Sequence, residues 1–173
     1  AQQAAGEADA ALATLAEARK VRAARLGASH AAVGDLDRRM GQMLLDAGQV
    51  EAARPWLERG AQLTRLGYGA DDPRTLHSQL AMARLAAREG DGAPLARFAD
   101  GLPEAPSLAP IRWEAQAFAA QASCLDGDPA TGARQLRLLE EQLRQSRPEG
   151  GSLVREVARL ASACGMTVAR GGG

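Results

Sequence analysis

The side chains of this sequence that could do chemistry are few, and none is spaced for catalysis. Only two cysteines occur in 173 residues, Cys124 and Cys164, with no CxxC spacing and no histidine beside either. Such cysteines read as small apolar core residues, with a disulfide as the alternative. His30 and His77 are too few and too isolated to build a metal cage. His77 has no nucleophile or second acid placed with it, so it does not read as a general base. No HExxH, GxSxG, P-loop or GxGxxG pattern is present. The expectation is a protein that is not an enzyme, with no catalytic residue, metal or cofactor.

Charge and composition narrow the class further. Lys+Arg and Asp+Glu are equal at 21 each, so no bulk attraction to nucleic acid or to an anionic membrane follows. No apolar run approaches the ~20 residues that span a bilayer, so no membrane insertion is expected. Aromatics are only 3% and Val and Ile are scarce, which leaves little to fill a pleated sheet. Ala, Leu, Arg, Glu, Gln and Gly dominate, the composition of an all-α protein packed through small residues. Lys20 is the only lysine, which suggests a high-GC bacterial gene. The start "AQQAAGEADA" reads as a processed form or a piece of something larger, and no signal peptide is visible. The expected location is cytoplasmic, with the periplasm as the alternative.

What positions the side chains is a repeat. Turn-like segments start at Gly6 ("GEADAALATLAEA"), Gly48 ("GQVEAARPWLERG") and Gly90 ("GDGAPLARFADGL"), 42 residues apart, and a fourth follows at Gly127. A second marker, Gly27 in "LGASHAAV" and Gly69 in "YGADDPRTL", keeps the same step. Between markers, apolar residues recur every three or four positions, as in Val33, Leu36, Met40 and Leu44. Two helices per unit result: 31–47 with 50–66, 74–89 with 93–100, and 111–126 with 129–145. A helix over 8–25 comes first and a half-unit over 152–164 comes last. "GLPEAPSLAP", from Gly101 to Pro110, reads as a long connection, and "RGGG" as a frayed tail. A mid-helix glycine costs about 1 kcal/mol relative to alanine, so Gly41 reads as a point where the partner helix approaches closely. Leu15, Leu57 and Leu136 would supply the larger side chains opposite, and Ala11, Ala18 and Ala53 the remaining close contacts. Trp56 and Trp113 read as packing between hairpins.

Met40-Gly41-Gln42-Met43-Leu44 and Gly48-Gln49-Val50-Glu51-Ala52-Ala53 resemble the helix and turn motifs of the tetratricopeptide repeat (TPR). The 42-residue step and "YGADDPRTL" resemble the longer variety found in kinesin light chains and in bacterial signalling proteins, including serine/threonine kinases. HEAT and armadillo repeats, of similar length, are the second choice. The resemblance implies one TPR-like domain over residues 1–173, a right-handed α-α superhelix or solenoid. Its units would be about 6–26, 27–68, 69–109 and 110–149, with a terminal helix over 152–165.

A solenoid of this kind implies a protein–protein interaction module, with first helices lining a concave groove. The groove stripe would be Asp35, Arg38, Gln42 and Leu45 in one unit, then His77, Leu80, Arg84 and Ala87 beside Arg88, then Glu114, Ala117, Gln121 and Cys124. The candidate peptide-binding residues are Arg38, Gln42, His77, Arg84, Arg88 and Gln121, which would bond the backbone or the carboxylates of an extended acidic peptide. Asp35, Asp46 and Glu114 lie where they would neutralise that wall. The alternative function is a structural, self-associating or autoregulatory domain attached to a catalytic one. Self-association is expected through Leu12, Leu15 and Val21.

Overall fold

The computed structural model describes residues 2–146 and 151–171, with side chains over 9–146, 151 and 153–164. Residues 147–150 and the last two glycines of the expected tail lie outside the described residues. Among those described there is no strand, and the fold is all-α. Two compact units form, residues 1–85 and 86–173.

The first unit contains α1 (Gln2–Leu26), α2 (Ala31–Asp46), α3 (Val50–Tyr68) and α4 (Pro73–Arg88) up to Leu85. α2 begins where His30 Nδ1 accepts the Ala32 amide at 3.1 Å. It ends where Gly48 turns the chain at φ +78°, a conformation glycine takes at no steric cost. There the Gln49 amide donates to the Leu44 carbonyl at 2.9 Å, closing the helix end. α3 then returns along α2, and the pair meets closely at Gly41. A Cβ there would lie 2.6 Å from Leu57 Cγ and Cδ2, so the close approach expected at Gly41 is observed. Leu45, Ala53, Leu57, Ala81 and Leu85 form the core between α2, α3 and α4.

Gly27, Gly48, Gly69 and Gly90 all have positive φ and follow one another every 21 residues, each at a break between helices. α2 and α4 are both 16 residues long and occupy the same place in that frame. Gly6 departs from it. It lies inside α1, a helix that continues back to Gln2, and marks no turn.

The second unit contains α5 (Ala93–Gly101), a 3₁₀ turn at Pro106–Leu108, α6 (Ala109–Leu125), α7 (Pro129–Ser146) and α8 (Ser152–Gly171). α6 packs against each of α5, α7 and α8. The core joins Ala117, Ala120 and Ala133 to Leu136, Leu139, Leu143, Val157 and Leu160, with Trp113 half-buried against it. Alanines on α6 and Gly132 on α7 bring those two backbones together. The Arg112 guanidinium donates to the Leu102 and Pro103 carbonyls and ties down the connection before α6.

Two expectations are corrected here. Cys124 and Cys164 are not core thiols but a disulfide between α6 and α8, with Cα atoms 5.8 Å apart. α8 does not end at 164–165 but runs to Gly171, through the first two residues of the expected tail.

Candidate interaction surfaces

The stripe expected to line an open groove is largely covered in the first unit. Leu45 is fully buried in one cluster with Ala53, Leu57, Ala81 and Leu85, while Leu44 is only half-buried. Asp35 and Arg38 are also buried. Arg38 donates to Asp35 Oδ1 at 2.8 Å through one nitrogen and to Gln42 Oε1 at 2.5 Å through another. Arg39 holds the second Asp35 oxygen at 3.1 Å. Burial pushes the Asp35 carboxyl up, but the hydrogen bond and charge of Arg38, joined by Arg39, outweigh it and hold the group below its ordinary value. Two guanidinium groups thus share one carboxylate within a single helix.

Arg84 meets Asp46 at 2.5 Å, across from α4 to the end of α2. Asp35 and Asp46, two of the three carboxylates expected beside that wall, thus pair with Arg38 and Arg84. His77 and Gln121 are half-buried and Arg88 is exposed at the end of α4. Arg38, Gln42, His77 and Arg84 belong to the first unit; Arg88 and Gln121 belong to the second.

Asp37, one residue from that stripe, is the polar hub that sequence reasoning missed. Its carboxylate is fully buried, yet Arg19 of α1 donates to Oδ1 at 2.6 Å and Arg59 of α3 donates to Oδ2 at 2.9 Å. Three helices meet at one side chain. The Arg19 guanidinium also stands over the Trp56 ring, 5.4 Å from its centroid. Burial pushes the Asp37 carboxyl above its ordinary value, and Arg19 recovers only part of that. A buried charge held by two arginines is a structural junction. No sequence pattern announces it, because its partners lie 18 and 22 positions away.

Two depressions lie on the described residues of the second unit. Between α6 and α8, Glu114 and Ala117 of the expected stripe line one with Phe118, Leu153, Glu156 and Leu160. The other is a longer groove over α5, α6 and α7, in two parts that share Ala96, Ala119 and Gln135. Its floor is alanine. Gln116, Gln135 and Gln142 present exposed side-chain amides along it, and Leu138 lies exposed on its wall. Asp100 stands at one end, and Asp126 and Asp128 stand at the other. Each amide offers both donor and acceptor. Asp128 already caps α7, its Oδ1 accepting the Thr131 amide at 3.1 Å, and its carboxyl sits below its ordinary value because of its hydrogen bonds to Thr131. The sequence signal available for this surface was the exposed set Gln116, Gln135 and Gln142 on consecutive helices, which belong to no apolar stripe.

Among the described residues no group of three or more His, Cys, Asp or Glu side chains is placed to hold a metal ion, and no helix is long and apolar enough to cross a membrane. The arrangement defines an all-α protein of paired helices with one amide-lined groove. Compared with protein families, with curated proteins and with solved structures, the chain matches none.

Proposed function

We propose that this chain is a TPR-like helical-repeat interaction module that binds an extended, basic peptide in the groove over α5, α6 and α7. The 21-residue frame of helix-breaking glycines supports the repeat reading, and with it a right-handed solenoid. The groove itself carries the binding reading. An alanine floor leaves room for a chain, three amides match backbone donors and acceptors, and carboxylates wait at both ends. The arginine wall expected for an acidic peptide is the weaker seat, since Arg38 and Arg84 already hold Asp35 and Asp46. The disulfide favours maturation in an oxidising compartment over the cytoplasm.

The test is fluorescence polarisation with peptide libraries carrying spaced Lys and Arg or spaced Asp and Glu. Charge-assisted bonds contribute roughly 1.5–3 kcal/mol each before desolvation. Asp100→Lys with Asp126→Lys should therefore weaken the basic peptides at least tenfold, and Arg84→Glu with Arg88→Glu should leave them unchanged. Preference for the acidic library, lost in the arginine variant, would move the site to the arginine wall. No binding by either library would leave a structural role.

A further inference from the structure

We infer that the depression between α6 and α8 is a second binding site, for a small organic cation whose ammonium group is carried on a compact aromatic body. It shares no lining residue with the amide-lined groove. α6 contributes Glu114, Ala117 and Phe118, and α8 contributes Leu153, Glu156 and Leu160. Each set is spaced by three or four residues, so each is one face of its helix. Further along the same two helices, Cys124 and Cys164 join them covalently. The two walls therefore run in the same direction. α7 packs against both, so their spacing is built before any ligand arrives.

The depression holds about 450 Å³, within the range of small-molecule pockets. Its base is apolar: Ala117 and Leu160 are buried, and Phe118 and Leu153 are half-buried beside them. The two carboxylates differ. Glu156 is occupied, its oxygens accepting from Arg159 at 2.9 and 2.6 Å, and that pair is neutral. Glu114 is half-buried one helical turn before Phe118, and among the described residues its carboxylate has no hydrogen bond or ion pair. No lysine, arginine or histidine is among the described lining residues. A lone carboxylate beside apolar surface is matched by a group that brings both a positive charge and an apolar body. The ammonium would take Glu114, and the ring would lie against Phe118 and Leu153. The same charge repels carboxylate and phosphate ligands.

The probe is phenethylamine, protonated at pH 7, titrated into the isotope-labelled full chain and followed by amide chemical shifts. Saturable shifts should centre on residues 114–118 and 153–160. Phenethyl alcohol, the same body without the charge, and butylamine, the charge without the ring, should each bind at least tenfold more weakly. Glu114→Gln should remove the advantage of the amine over the alcohol. Phe118→Ala should weaken both, with circular dichroism unchanged. Equal binding of amine and alcohol overturns the inference, as does an advantage that survives Glu114→Gln. So do shifts centred on the amide-lined groove, or none at millimolar amine. Shifts at residues 114–118 on concentrating the protein alone would give this face to a second copy, and they too overturn it.

Discussion

Gly41 and Leu57 share one volume: any side chain added at Gly41 would enter the space that Leu57 Cγ and Cδ2 occupy. The two positions should therefore be strongly coupled. Leu57→Ala alone should cost about 2–5 kcal/mol through the cavity it leaves. Gly41→Ala alone should cost about 1–3 kcal/mol through overpacking, offset in part by helix propensity. In the Leu57→Ala background, Gly41→Ala should become neutral or stabilising. Urea denaturation of the four proteins in a double-mutant cycle checks this, and additive effects would refute the shared volume.

The Asp37 junction has an asymmetric prediction. Removing the fully buried carboxylate by Asp37→Ala strands two guanidinium groups and should cost about 3–5 kcal/mol. Arg59→Ala should cost less, under about 1 kcal/mol, because that side chain is 41% exposed and already screened by water. Thermal melts showing equal losses would remove Asp37 from the centre of the unit.

Acid stability should follow Asp72 and Asp35. The side-chain hydrogen bond from Arg74 brings the Asp72 carboxyl down to about 2, and Asp35 is also held below its ordinary value. A lowered native pKa means that the native state favours the ionised form. That stability is full above about pH 4 and is lost as pH falls toward 2. Asp37 acts with the opposite sign: its raised pKa makes ionised Asp37 a cost, relieved on acidification. Tm measured from pH 7 to pH 2 should fall in the acid range, and Asp72→Asn should flatten that fall. A variant with the parent slope would count against Asp72.

The disulfide closes a long loop, its cysteines 40 positions apart, and in the chain-entropy picture contributes about 4 kcal/mol. Cys124→Ser with Cys164→Ser, or reduction, should lower stability by an amount of that order. The expected site of loss is the packing of α8 on α6 and α7. Hydrogen exchange localises it: faster exchange in α8 than in α2 and α3 supports the assignment, and uniform change contradicts it.

Helix positions were readable because glycine leaves a residue-type signature. A left-handed turn needs it, so Gly48, Gly69, Gly90 and Gly127 marked real breaks. Gly6 misled because glycine inside a helix looks the same on the page. Periodicity separated stripes on α2 but carried no information on which neighbour covers which, so Leu45 and Arg38 were assigned to a groove although both are buried. The Cys124–Cys164 pairing and the Asp37 junction depend on distances between helices, which spacing along the chain does not encode.

The bond between Cys124 and Cys164 also gives the chain a covalent ring that contains all of α7. Within that ring the order of the backbone is no longer what keeps the pieces together. A single protease cut at any peptide bond from 125 to 163 leaves one molecule of unchanged mass apart from added water, and two fragments separate only after a reductant is added.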